Sequence, residues 1–290
     1  MEVEISSLSK NYGKIQALKN VSLLIEGNGL VTFLGANGAG KTTLFKILTS
    51  IVRPSSGSIN VNGVNVDSNP RKVLSNIGSL VEEPEFYPYL TGRELLEFTA
   101  KIRGESSRDL KEEVERVSRL TDISGYLERK SGEYSRGMKQ RLGVAVALVG
   151  NPELLVLDEP TFGMDPKGML EMRKVLRDMK KDKDRLIIMS THLLEEARAL
   201  SDRTIILKKG EIKYDSQGTD RKSLVRVTGT IDPSHDFKYG RIIEIGEGYY
   251  IFDVFDRNRI PEFNRELLSS GSSIMYISSA DELEKEFTKD

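Results

Sequence analysis

The chain has 290 residues, room for one large domain and a small one. Charged residues make up 30%, but the signs cancel to a net charge of -1, which excludes a global electrostatic footprint for nucleic acid or anionic lipid. Cysteine is absent, which excludes a disulfide framework and thiolate metal sites.

Residues 2–8 read as a strand, because Val3 and Ile5 alternate with polar residues, and residues 21–26 read as a second. Tyr12 lies on the connection between them. A third strand over 30–34 runs straight into Gly35-Ala36-Asn37-Gly38-Ala39-Gly40-Lys41-Thr42-Thr43. This is the P-loop pattern G-x-x-x-x-G-K-T in its required strand–loop–helix setting, with a helix expected to about Ser50. Its glycines permit turns that a Cβ would forbid. Its amide N–H groups then face phosphate oxygens at a helix N-terminus. Lys41 is expected to reach the β- and γ-phosphates, and the Thr42 hydroxyl to ligate Mg²⁺.

A strand follows at 58–61, a short helix at 71–75, and a buried strand at 77–81 that ends in Glu82-Glu83-Pro84-Glu85. Residues 91–150 change to helical spacing. Thr91 with Glu94 forms a capping box, and Leu95, Phe98 and Ile102 share a face behind it. A second helix begins near Ser106 or Ser107, with Leu110, Val114, Val117 and Leu120 at helical intervals. Tyr134 to Arg141 is polar, and Ser135 has the features of an N-cap for the apolar helix 142–149.

Leu154–Leu157 is a strand buried on both faces, and it ends in Asp158-Glu159, where open α/β sheets bind ligands. Asp158 is expected to share Mg²⁺ with Thr42, and Glu159 to polarise the attacking water. A turn at Gly163-Met164-Asp165-Pro166 leads to a helix ending near Lys180. A buried strand at 186–189 runs into Ser190-Thr191-His192, whose imidazole can donate to a γ-phosphate oxygen. A helix at 193–200 and a hairpin around Lys209-Gly210 complete this part. After a linker at 217–219 the tail reads as strands at 224–227, 241–245, 249–255 and 273–277, with helices at 261–268 and 280–288. No apolar run approaches the ~20 residues of a membrane span, and the acidic start has no signal-peptide core. The expected chain is cytoplasmic, and any membrane role comes through a partner.

In this order, the P-loop, the Tyr134–Arg141 segment, Leu154–Glu159, the 163–166 turn and His192 resemble the ATP-binding subunit of ABC transporters. The resemblance covers residues 1 to about 215. It implies an α/β P-loop NTPase fold over 1–215, with an ABC-type β subdomain and an inserted helical subdomain at about 85–150; residues 216–290 form a small C-terminal α+β module. It also implies ATP and Mg²⁺ as ligands, Tyr12 stacked on adenine, and Lys41, Glu159 and His192 as the catalytic set. Ser135, Arg136, Gly137 and Met138 form the signature, where Ser135 and Gly137 contact ATP bound by a second copy, and Asp165 communicates across that dimer. The familiar signature is Leu-Ser-Gly-Gly-Gln; here Tyr-Ser-Arg-Gly-Met stands in its place. Glu82 stands where the family has a glutamine that senses Mg²⁺. These variants and the acidic–aromatic run 82–89 resemble the exporter branch for drugs, antibiotics and lantibiotics. The implied activity is ATP hydrolysis driving a separate transmembrane permease, peripheral on the inner face of the membrane, for export of a small molecule or peptide. Two other readings stand beside it: a soluble ABC-type ATPase of nucleic acid or ribosomes, and a nucleotide-gated regulatory module. The neutral net charge disfavours a nucleic-acid partner.

Overall fold

The computed structural model describes residues 1–104, 106, 109–182, 184–216, 223–255, 259–279, 283 and 287. The chain divides into two compact units, Met1–Lys213 and Tyr214–Asp290. Ser107, the expected linker at 217–219 and all but two positions of the expected helix 280–288 lie outside the described residues.

The first unit opens with β1 (Glu2–Tyr12) and β2 (Ile15–Glu26), a hairpin turning at Gly13. Both strands are longer than their apolar alternation indicates. Register shifts after Ile5, Leu8 and Lys10 break the alternation while the pairing continues to Tyr12↔Ile15. Next come β3 (Gly29–Leu34) and α1 (Lys41–Leu48). That helix stops short of Ser50, which takes a positive φ of 56°. β4 (Ser56–Val61) pairs with β1, and β5 (Val64–Asn65) pairs with β4, to give a sheet ordered β2-β1-β4-β5. After α2 (Pro70–Leu74) comes β6 (Ile77–Leu80).

Three helices follow: α3 (Gly92–Ile102), α4 (Leu110–Leu120) and α5 (Arg136–Leu148). The Thr91–Glu94 capping box is present in full, so two orphan N–H donors at the start of α3 are satisfied. The face expected for α3 is corrected. Gly92, Leu95, Leu96 and Ala100 are buried, whereas Phe98 and Ile102 lie on the outer flank of that arc, 56% and 69% exposed. α5 begins six residues earlier than its apolar run, directly after Ser135, whose side chain accepts the Met138 N–H at 3.3 Å. The signature residues Arg136 to Met138 are therefore its first turn.

β7 (Leu154–Leu157), α6 (Pro166–Met179), β8 (Leu186–Thr191), α7 (Leu194–Leu200), β9 (Arg203–Lys208) and β10 (Glu211–Asp215) complete the unit. The central sheet is ordered β10-β9-β3-β8-β7-β6, and from β9 to β6 every pair is parallel. Successive side chains point to opposite faces, so two cores form. Leu155, Leu157, Ile187 and Met189 join the helical lobe on one face. Val31, Phe33, Val156, Ile188 and Ile205 join α1 and the β1-containing sheet on the other. Burial on both faces explains why these strands read as unbroken apolar runs. Among the described residues, no helix is long and apolar enough to cross a membrane.

The second unit holds β11 (Ser223–Thr230), β12 (Gly240–Gly246), β13 (Tyr249–Val254), α8 (Ile260–Ser269) and β14 (Ser273–Ser279). Its antiparallel sheet is ordered β12-β13-β11-β14, and Phe237 meets Phe252 and Phe263 edge to face in its core.

Candidate functional site

Parallel register brings four strand ends to one edge of the sheet. Leu34 pairs with Thr191, Leu157 with Met189, and Leu80 with Leu157. The residues that follow, Gly35, His192, Asp158 and Val81-Glu82, therefore lie along the carboxyl edge, where open α/β sheets bind ligands.

The loop after β3 is stitched in place at both ends. The Gly35 N–H donates to the Thr191 carbonyl at 3.2 Å, and the Ala39 N–H to the Ala36 carbonyl at 3.1 Å. Ala36, Asn37 and Gly38 between them are exposed. Gly40 precedes α1 with a φ of 108°, and a Cβ there would sit 2.6 Å from the Ala17 carbonyl oxygen. Gly40→Ala is expected to cost about 1–3 kcal/mol of stability through backbone strain alone, read as a lower midpoint in urea unfolding.

Lys41 is 5% exposed. Its Nζ donates to the carbonyls of Gly35 at 2.7 Å and Ala36 at 3.2 Å. It also lies 3.2 Å from Glu159 Oε1, an ion pair without hydrogen-bond geometry, so this buried oxygen keeps its accepting capacity. Glu159 Oε2 is 2.7 Å from His192 Nδ1. Glu159 itself takes φ 47°, a left-handed conformation that is uncommon for a residue with a side chain and clusters at functional sites. Ser190 fixes both acids: its hydroxyl donates to Asp158 Oδ1 and accepts the Glu159 N–H at 2.9 Å. Thr42 and Thr43 follow Lys41 in the first turn of α1.

The signature turn is tied to the same edge. Gln140 on α5 donates to the Glu159 carbonyl at 3.3 Å. Arg136 pairs with Glu83, and its guanidinium lies over the Phe162 ring, 4.7 Å from the centroid. Gly137 leaves open space at the helix tip, with the Met164 side chain 3.8 Å from where a Cβ would be. Met138 packs against the helical core. Asp165 caps α6 by accepting the Gly168 N–H at 3.0 Å. Glu82, with φ 68°, gives its carboxylate to Lys46 on α1 at 2.5 Å. Tyr12 ends β1 half-exposed, with the Lys10 ammonium 5.1 Å from its ring centroid.

Lys41, Asp158, Glu159 and His192 thus converge as one constellation. Ser190 and Gln140 belong to it too. Their signal in the sequence was faint: a polar residue ending a buried strand, and an amide buried in the second turn of the signature helix.

A family model described as "ABC transporter" matches residues 18–162. The uncharacterised ABC transporter ATP-binding protein YdbJ of Bacillus subtilis (strain 168) is 36% identical over 99% of this chain and 94% of its own. The bacitracin transport ATP-binding protein BcrA of Enterococcus faecalis is 32% identical over 99% of this chain and 95% of its own. Among solved structures, an ATP-binding cassette in a dimeric post-hydrolysis state, bound to ADP and Pi, aligns with a TM-score of 0.67 at 25% identity, covering 74% of this chain and 97% of that one. On the motifs, the sheet order and these likenesses together, the chain belongs to the ABC transporter family, as an ATP-binding, ATP-hydrolysing subunit.

Proposed function

We propose that this chain hydrolyses ATP between two copies of itself and so drives a separate transmembrane subunit that exports a small molecule or peptide. The observation that carries the reading is the convergence of Lys41, Asp158, Glu159 and His192 beyond the ends of three parallel strands, β3, β7 and β8. Lys41 binds the β- and γ-phosphates beside the amides of Gly38 and Gly40 to Thr43, and Tyr12 stacks on adenine. Glu159 accepts a proton from water through the oxygen that carries no hydrogen bond. That water's oxygen bonds to the γ-phosphorus, the bond to the bridging oxygen breaks, and ADP leaves with the electron pair. His192 holds Glu159 and faces the γ-phosphate.

The donor set fits Mg²⁺. Among the described residues no three acids or histidines converge into a cage for a metal. Mg²⁺ is commonly held by one or two protein oxygens plus phosphates and waters, a role open to Thr42 and Asp158. When bound, it neutralises charge on the phosphates. Glu82, the third candidate, has one of its two oxygens on Lys46.

Ser135, Gly137 and the free amides at the α5 tip reach the nucleotide of the other copy, and Asp165 lies in the turn that meets it; the dimeric cassette among the solved relatives supports this. The bacitracin transport function named for the Enterococcus relative supports export. Tyr87 and Tyr89 are 60% and 64% exposed, with ring centroids 5.7 Å apart, and with Glu82, Glu83, Glu85 and Phe86 they form the surface offered to the permease. A photo-crosslinker at Tyr87 is expected to capture the co-purified membrane subunit. Crosslinks formed only from sites outside residues 82–89 would remove this surface from the reading.

A further inference from the structure

Glu196 on α7 is completely buried, and no step above uses it. A carboxylate in such a place loses its hydration unless partners recover it, and an apolar residue would pack there at less cost. Its two oxygens face different elements. Oε2 accepts the Thr191 hydroxyl at 2.8 Å. Oε1 lies 3.5 Å from Arg173 Nε on α6, an ion pair in which neither atom makes a hydrogen bond.

Thr191 is the residue before His192, and it is held at three points. Its carbonyl takes the Gly35 N–H of the phosphate loop. Its hydroxyl donates to Glu196 and accepts the Leu193 N–H at 3.1 Å. A hydroxyl has one proton, so the carboxylate decides which way it points and leaves its lone pairs to Leu193. The turn 191–193 is closed by that bond, and it is the turn that presents His192 Nδ1 to Glu159.

We infer that Glu196, paired with Arg173, is a positioning residue that sets His192 on Glu159 through the Thr191 hydroxyl. The inference rests on the roles given to His192 and Glu159 above. It also gives α6 a use. Residues 171 and 173 of a helix point about 200° apart. Glu171 pairs with Arg141 of the signature helix, and Arg173 with Glu196. The helix capped by Asp165 therefore joins the signature helix to the histidine turn.

The test is steady-state ATP hydrolysis by the full chain, with folding followed by circular dichroism. Thr191→Val keeps the shape and removes the hydroxyl; it is expected to lower kcat roughly tenfold, as a small misplacement of a reacting group does, with the KM for ATP little changed. Thr191→Ser recovers most of the rate. Glu196→Gln has the same effect as Thr191→Val, because its single acceptor goes to Arg173 and its amide N–H₂ faces the hydroxyl. Added to His192→Ala, neither change slows turnover further. A Thr191→Val chain at the wild-type rate, or one whose loss multiplies with that of His192→Ala, overturns the inference while leaving the histidine's role intact. A His192→Ala chain at the wild-type rate overturns that role itself, and the inference with it.

Discussion

Glu159→Gln is expected to keep ATP bound and to slow its hydrolysis about 10²- to 10⁴-fold, the range of a lost general base. The amide keeps the size of the side chain and can still accept a hydrogen bond, but it cannot take a proton. Its neighbours also explain why the loss falls on the chemical step. Lys41 is within 3.2 Å of one oxygen and His192 within 2.7 Å of the other, so the carboxylate is oriented from both sides. Ser190 holds its backbone in the left-handed conformation it needs. Phosphate release checks the rate, and light scattering in the presence of ATP and Mg²⁺ checks assembly, where the slowed chain accumulates as a dimer. Hydrolysis at the normal rate would move the base to another residue; a monomer under saturating ATP would remove the shared site.

Lys41→Ala should weaken ATP binding about 100-fold or more, since it removes a charged hydrogen bond to phosphate worth about 1.5–3 kcal/mol together with its longer-range attraction. The carbonyls of Gly35 and Ala36 lose their donor at the same time, so the loop around the phosphates slackens as well. Calorimetric titration with ATP reads the change. Unchanged affinity would mean that the lysine does not face the phosphates.

The parts of this site written in consecutive residues were legible in the sequence. The P-loop is one such part, because turn, charge and helix start occur in one stretch. The ends of β7 and β8 are another, because strands buried on both faces read as apolar runs that stop abruptly at polar residues. What joins these parts was not legible. Ser190 bridges Asp158 and Glu159, and Gln140 reaches Glu159, across sequence separations that no periodicity records. Nor was the length of β1. Ser7 takes a positive φ of 47°, and the register shifts near it reverse which side chains face inward, so alternation ends while the strand goes on. On α3, apolar character misled: Phe98 and Ile102 share a helical period with Leu95 but lie outside the buried arc.

The contact between Arg136 and the turn at 160–165 has a consequence for how this sequence can change. The guanidinium lies over the Phe162 ring and fills the space a Cβ would need at Gly163, which has a φ of 72°. A side chain at 163 would push the guanidinium off the Phe162 ring, a small shift for the far end of a flexible arginine. The left-handed backbone would strain such a side chain wherever the arginine went, so the turn itself holds position 163 to glycine.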